Sequence, residues 1–380
     1  MVRNLRPAWY VGLLAGLVLG GTAACEQGVT STARGEVQEN VAETGSISGR
    51  VLGLDGAAVG GALVSTPGGA STVTAPDGTF ALDGLAATER LAVTLEASGY
   101  ASTTAIFRVI PGTQPFRELR IARRGPIVRI NPATGGVVPF ADGGRVTFRP
   151  NSLAGVRPGE LVNVQVTYYD PGPPAGPAGS RAAGYVEAAQ TAVSSLEAAP
   201  GDFSAVEADG TGSQLETAGA VDVRVTNSAG QPVNVVPGQT VTINFPDRDG
   251  TATGVWGLYR FDRATGRWVR ESQAPPAGDG TQQAEVPDLS IPWNADNPLI
   301  TSCITIRVEA PGGQPRANEF VEANGINWRG ASSGSTDING NVDLQVRASS
   351  QADVTAGPVL ATVSTPPVSS TCTPTATLVF

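Results

Sequence analysis

Short runs of alternating hydrophobic and polar residues, separated by turn residues, follow one another from about residue 46 to the end of the chain. Alternation with a period of two is typical of β-strands that bury one face. Turn sequences such as Pro-Asp-Gly at residues 76–78 lie between these runs. They favour tight turns, because glycine adopts positive φ without strain. The pattern predicts an all-β protein of antiparallel hairpins.

The predicted strands fall into three groups, separated by proline and glycine residues near positions 125 and 126 and by a break at residues 296–299. Domains usually meet at such junctions. We therefore expect tandem antiparallel β-sandwiches, with one at residues 46–124, a middle one at 127–297 and a third at 300–380. In the middle group, residues 170–184 are rich in proline, glycine and alanine and predict an exposed loop.

The amino-acid composition and the net charge exclude several classes of fold and function. The chain has 380 residues with 48 Gly and 29 Pro, too many helix breakers for a helical bundle or coiled coil. It contains no His, which excludes His-based acid/base catalysis, Ser-His-Asp triads and His-ligated zinc. The net charge is −9 and the chain contains no Lys. Since nucleic acids require clustered cations, this balance argues against a nucleic-acid partner.

The first 24 residues have the three-part layout of a secretory signal peptide. Arg3 and Arg6 precede an uncharged apolar run at residues 11–21, and small residues follow it. This run is shorter than the roughly 20 apolar residues of a membrane-spanning helix. Residues 25–45 are small and polar, which predicts a flexible tether.

The sequence Thr-Ala-Ala-Cys at residues 22–25 resembles the lipobox of bacterial lipoproteins, although Thr22 replaces the usual Leu. The resemblance implies cleavage before Cys25 and lipidation of this residue, hence a membrane partner through the anchor. Ordinary cleavage after Ala24, with Cys25 a free thiol, is the alternative. Glu26 is not the Asp that in this family often retains lipoproteins at the inner membrane, which favours the outer membrane.

If Cys25 carries lipid, Cys303 and Cys372 remain as a pair in an exported protein. Disulfides persist in oxidising compartments. Cys303 begins the first predicted strand of the third group and Cys372 the closing segment, and such strands often lie close together in a sandwich. We therefore expect a disulfide between them, with two buried thiols as the alternative. A metal site is disfavoured, because neither His nor a CxxC motif accompanies them.

Residues 46–123 resemble the carboxypeptidase regulatory-like domain. The resemblance is carried by Ser48-Gly49-Arg50-Val51, Ala62-Leu63-Val64, Asp77-Gly78-Thr79-Phe80, Gly84-Leu85 and Ala97-Ser98-Gly99-Tyr100. It implies a transthyretin-like sandwich of seven strands without catalytic residues. The middle group resembles, more distantly, the β-domain of bacterial surface lipoproteins and the ZU5-like part of cartilage intermediate layer proteins. The third group repeats the turn pattern of residues 77–82 and predicts a second regulatory-like or Ig-like sandwich.

Two further groups of residues are candidates for chemistry. Asp247 and Asp249 have a spacing found in calcium loops, but the full loop pattern is missing, so we expect a turn and no metal. Asp337, Asn339 and Asn341 are interpreted in the same way. Aromatic residues could form a stacking surface, but in a sandwich they are more often buried. They are Trp256, Tyr259, Phe261, Trp268, Trp293 and Trp328.

These observations predict an exported, lipid-anchored protein of the bacterial cell envelope, without enzyme activity or cofactor. Its sandwiches would present a surface to a protein or carbohydrate ligand. One alternative is a structural spacer in an envelope assembly. Another is a hydrolase that uses two of the 34 acidic residues, although nothing in the sequence singles out such a pair.

Overall fold

The computed structural model describes residues 44–171, 195–247 and 254–380. The predicted signal peptide, Cys25 and nearly all of the predicted tether lie outside these residues. The described residues form 26 β-strands and two short 3-10 helices, with no α-helix among them. The all-β prediction is therefore confirmed. In this part of the chain, no helix is long and apolar enough to cross a membrane.

The first seven strands form a sandwich that we call the N-module. They are β1 (Thr44–Gly53), β2 (Leu63–Ser65), β3 (Ser71–Val73), β4 (Thr79–Ala86), β5 (Thr88–Glu96), β6 (Thr103–Val109) and β7 (Phe116–Ile121). One sheet has the order β4-β1-β7 and the other β3-β2-β5-β6. The central strand β1 is antiparallel to β4 and parallel to β7. Alternation places Ile47 and Val51 of β1 in the core, where both are fully buried.

The next twelve strands form the middle module. They are β8 (Val128–Ile130), β9 (Gly136–Pro139), β10 (Arg145–Phe148), β11 (Val162–Tyr169), β12 (Ser204–Val206), β13 (Gly212–Glu216), β14 (Ala220–Thr226), β15 (Val241–Pro246), β16 (Trp256–Asp262), β17 (Arg267–Ala274), β18 (Thr281–Val286) and β19 (Trp293–Pro298). The 3-10 helices η1 (Ala141–Gly143) and η2 (Ser195–Ala198) lie in its loops. A four-stranded sheet of order β18-β15-β10-β9 accompanies an eight-stranded sheet of order β13-β12-β17-β16-β19-β14-β11-β8.

Part of the eight-stranded sheet closes on itself. Strand β13 pairs with β12 on one side and with β19 on the other, so β13, β12, β17, β16 and β19 form a ring. A second, aromatic core surrounds the fully buried Trp268, and it combines residues of these strands with Ala101 and Ala122 from the N-module side. The ring of Phe261 meets Trp268 edge-on at 5.1 Å, and Phe203 stacks on it at 6.4 Å. The middle module therefore combines a sandwich with a small closed barrel.

The last seven strands form the C-module. They are β20 (Thr301–Glu309), β21 (Phe320–Gly325), β22 (Ala331–Ser335), β23 (Asn341–Arg347), β24 (Gln351–Ala356), β25 (Val359–Ser364) and β26 (Ser369–Val379). Their sheets, β23-β20-β26 and β22-β21-β24-β25, repeat the topology of the N-module strand for strand.

The repetition extends to an equivalent turn. Gly78 and Gly340 have φ of 83° and 78°, and their carbonyls accept hydrogen bonds of 2.8 Å from the backbone N–H of Val51 and Val308. A Cβ at either glycine would lie within 2.6 Å of the oxygen of the same valine. The C-module therefore shares both the strand order and this turn with the N-module.

Candidate functional site

Among the described residues, side chains form networks of hydrogen bonds and ion pairs where the modules meet. Arg90 of β5 reaches from the N-module into the middle module. Its Nη1 and Nη2 donate hydrogen bonds of 2.6 and 2.9 Å to the two carboxylate oxygens of Asp202. Nη2 also donates to the Ser204 hydroxyl and the Gly266 carbonyl, and Nε donates to the Thr265 carbonyl. Such a planar, bidentate contact depends on the guanidinium group.

The environment of Asp202 shows that this ion pair is withdrawn from water, with the Asp202 and Arg90 side chains 10% and 23% exposed. Burial by itself raises the pKa of the Asp202 carboxyl, but the hydrogen bonds and charge of Arg90, with those from Ser204, lower it below its ordinary value. The junction is also tightly packed, because a Cβ at Gly266 would lie 2.2 Å from Cδ1 of Ile106. The junction therefore depends on an ionised carboxylate.

A second arginine joins the N-module to the C-module. The guanidinium carbon of Arg117, in β7, lies 3.5 Å from the ring centroid of Phe320 in β21 and 5.1 Å from that of Phe107. Its Nη1 donates a 2.6 Å hydrogen bond to the carbonyl of Ile106. Burial lowers the pKa of Arg117 to about 10, while the carboxylates of Glu322 and Asp202 act in the opposite direction. The group remains a cation between two aromatic faces.

Two hydrogen bonds extend this second junction. Nη1 of Arg108 donates to the carbonyl of Ser335 at 2.9 Å, and Nδ2 of Asn318 donates to the hydroxyl of Thr113 at 2.5 Å. Both connect residues of the N-module with residues of the C-module that are more than 200 positions away in the chain.

The third junction lies between the middle module and the C-module. Nε2 of Gln214 donates hydrogen bonds of 2.8 Å to the carbonyls of Asp202 and Ala331. The carboxylate of Glu216 accepts from Nη1 of Arg347 at 3.0 Å and from the backbone N–H of Arg329 at 3.3 Å. Each module therefore contacts both others, and the described residues belong to one compact unit.

The predicted disulfide between Cys303 and Cys372 is confirmed. It joins the neighbouring parallel strands β20 and β26, with the two Cα atoms 4.3 Å apart. A carboxylate oxygen of Asp343 lies within 4.8 Å of both sulfurs. The bonded sulfurs are not the thiolates that a metal ion would require, so this group is a covalent cross-link.

The remaining predicted site residues do not come together. Cys25 and Asp249 lie outside the described residues, so lipidation and a calcium site at Asp247 and Asp249 stay untested. Asp247 follows β15, and its backbone N–H donates to the carbonyl of Gly280 at 2.9 Å. Oδ1 of Asp337 accepts hydrogen bonds of 2.9 Å from the backbone N–H groups of Asn339 and Asn341, as expected of a turn.

The six aromatic residues proposed either for the core or for a stacking surface are all buried, with at most 9% of any residue exposed, so the core interpretation is confirmed. They are Trp256, Tyr259, Phe261, Trp268, Trp293 and Trp328. They fill three different cores and share no common surface.

Three carboxylates line a cleft of about 350 Å³ between the N-module and the C-module, those of Glu89, Asp337 and Asp343. Glu89 forms an ion pair with Arg108, which also lines the cleft. Asp343 accepts a 2.6 Å hydrogen bond from the hydroxyl of Thr305, and Asp337 is held in its turn. These contacts give all three carboxylates structural partners.

Alternation places Arg90 on the solvent face of β5 and Arg117 on the same face of β7 as the core residues Leu119 and Ile121, so neither position predicted an arginine at a junction. The absence of Lys was the one signal present. Guanidinium groups are preferred over ammonium groups in buried pairs and on aromatic faces, so an Arg-only chain is suited to such junctions.

Two modules thus share one seven-stranded sandwich topology. In the N-module, residues 46–121 match the family model of the carboxypeptidase regulatory-like domain, so the chain contains that domain. The comparison with curated proteins found no match.

Several solved bacterial structures align with the chain at low similarity. The TIE protein of Bacillus anthracis is 11% identical with a TM-score of 0.20, over 89% of this chain and 50% of its own. A putative membrane-associated protein of unknown function from Bacteroides fragilis is 10% identical with a TM-score of 0.22, over 67% of this chain and 98% of its own. BcpA, the major pilin subunit of Bacillus cereus, is 10% identical with a TM-score of 0.19, over 89% of this chain and 98% of its own. This chain spans half the length of the first of these.

Proposed function

We propose that the protein is a non-enzymatic structural component of the bacterial cell envelope. It is exported, held on the outer membrane by lipid at Cys25, and carries three joined β-modules on the tether that follows. The lipobox-like residues 22–25 support the anchor. The regulatory-like domain at residues 46–121 supports a non-catalytic role, since the resemblance implies no catalytic residues.

The observation that carries the structural role is the set of three junctions. Modules joined only by linkers bend freely, whereas a module that contacts two others has its orientation fixed. Arg90, Arg117 and Gln214 each connect one module with another through contacts that are partly or fully buried. A body of fixed shape is suited to holding an assembly at a distance from the membrane.

Binding of a protein or carbohydrate ligand is a second candidate function. The burial of all six aromatic residues leaves no stacking surface for sugars among them. A ligand would instead meet polar surfaces such as the acidic cleft between the N-module and the C-module, where a cationic group of a partner protein fits the charge. We rank this candidate below the structural role.

Fractionation of cells that express the Cys25→Ala variant tests the anchor. We expect this variant in the soluble fraction and without incorporated fatty acid, because several acyl chains bury dozens of CH₂ groups at about 0.8 kcal/mol each. The matched control is the double variant Cys303→Ser with Cys372→Ser, which alters two cysteines and leaves Cys25 in place. Cys25→Ala protein that stays in the membrane fraction contradicts the proposal.

Small-angle scattering tests the fixed shape. The Arg117→Ala variant loses the guanidinium that lies between Phe107 and Phe320, so we expect a larger radius of gyration than in the wild type. Arg123, which is 65% exposed and paired with Asp55 of its own module, gives the control variant Arg123→Ala. Equal radii for all three proteins would mean that the junction does not hold the modules together.

A further inference from the structure

The first and last strands of the N-module are direct neighbours and run parallel. Strands β1 and β7 form six residue pairs, from Ser48 with Phe116 to Gly53 with Ile121. The C-module has the same arrangement, with seven pairs between β20 and β26, from Ser302 with Ser369 to Glu309 with Val379. In each module the chain therefore arrives and leaves at opposite ends of one parallel pair.

We infer that the protein resists tensile force along its chain, with the N-module and the C-module as its strong elements. This inference rests on the proposed structural role, in which force passes from the membrane to whatever the modules hold. Tension on a parallel pair pulls the two strands in opposite directions along their axes. The evenly spaced hydrogen bonds of the pair are then all loaded at once and have to break together. An antiparallel pair pulled from one end opens one bond at a time.

The C-module adds a covalent bond at the same place. The disulfide between Cys303 and Cys372 joins β20 to β26, so tension crosses it and bypasses residues 304–371. Of the residues in β20 and β26, only 301–302 and 373–379 lie outside the bridged segment. The C-module cannot extend while the disulfide is intact.

The middle module is built differently and is the weak element. Its first strand β8 and last strand β19 are not paired with each other, since β14 and β11 lie between them in the sheet. Strand β8 is held by three residue pairs to β11. Tension on β8 therefore meets far fewer bonds than tension on β1, and we expect the middle module to unfold first.

Single-molecule force spectroscopy on the full chain, with handles at its two ends, tests the order of unfolding. Residues 128–298 of the middle module extend to about 60 nm and residues 44–121 of the N-module to about 27 nm, at roughly 3.5 Å per residue. We expect the longer event at the lower force. An N-module event that precedes the middle-module event overturns the inference.

The same traces test the covalent element. The cysteines are 69 residues apart, so reductant should add about 24 nm to the total extension. The double variant Cys303→Ser with Cys372→Ser should show this longer extension without reductant. An extension that does not depend on reductant would mean that the C-module is not protected by the bridge.

A change of pulling direction tests the shear argument itself. Thr44 and Ala86 form the end pair of the antiparallel strands β1 and β4, which share six residue pairs, as do β1 and β7. Handles at Thr44 and Ala86 open β1 from β4, whereas handles at Thr44 and Arg123 load β1 against β7 in shear. We expect the higher unfolding force for the second arrangement. Equal or lower force overturns the inference, while the fractionation of Cys25→Ala decides the anchored structural role independently.

Discussion

Removal of Arg90 should destabilise the protein far more than removal of an exposed arginine. In the Arg90→Met variant, the Asp202 carboxylate stays at the junction with only the Ser204 N–H and hydroxyl as donors. Breaking a buried pair by removing one partner costs about 3–5 kcal/mol. Since the Arg90 side chain is 23% exposed, we expect a loss at the lower end, about 3 kcal/mol.

A double-mutant cycle separates the ion pair from the other contacts of Arg90. The cycle combines Arg90→Met with Asp202→Asn, and we expect a coupling free energy of about 2 kcal/mol. Urea denaturation of the full chain, followed by tryptophan fluorescence, measures the free energy of unfolding of each variant. The control cycle uses Arg123→Met and Asp55→Asn, an exposed pair with a 3.4 Å contact, for which we expect little coupling.

The reasoning fails if Arg90→Met and Arg123→Met have equal effects on the free energy of unfolding. It fails also if the Arg90–Asp202 coupling free energy is close to zero, because the junction would then be held by packing alone.

Three further predictions concern the disulfide, a turn and the pH dependence. Replacement of both Cys303 and Cys372 by Ser should lower the free energy of unfolding by about 4 kcal/mol in the chain-entropy model, and an unchanged urea midpoint would contradict this. Gly78→Ala should lower the melting temperature more than Gly84→Ala, because both glycines have positive φ but only at Gly78 would a Cβ meet backbone, 2.4 Å from the Val51 oxygen. The pKa of Asp202 is lowered in the folded protein, so its contribution to stability is complete above its unfolded pKa of about 4 and is lost as pH falls below that value. Asp202→Asn should therefore weaken the acid dependence measured by urea denaturation, and an unchanged pH profile would contradict this assignment.

The strands and turns of the N-module could be predicted because each is determined by nearby residues. Ile47 and Val51 in β1, and Phe80 and Leu82 in β4, are an even number of positions apart, as alternation requires of one face, and all four are core residues. The turn at residues 76–78 needs a residue that tolerates positive φ, and Gly78 supplies it. These requirements are local, so a single sequence contains them.

The barrel in the middle module could not be predicted in the same way. Strands β12 and β13 are three and five residues long, too short for a clear alternation. The closing contact joins Leu215 to Pro298 and Glu216 to Asn297, which lie about 80 positions apart in the chain. Only the packing of Trp268 and its neighbours brings these segments together, and no local pattern records that packing.

The charged residues at the junctions between modules could not be predicted from the sequence either. Alternation places Arg117 on the same face of β7 as the core residues Leu119 and Ile121, where an apolar side chain is expected. Its guanidinium group lies there between the ring of Phe107 in its own module and that of Phe320 in the C-module. Burial there withdraws a cation from water, which is unfavourable, and the two aromatic faces and the Ile106 carbonyl compensate for it. A contact of this kind stabilises one arrangement of modules over others, and this selectivity is what a spacer of fixed shape requires.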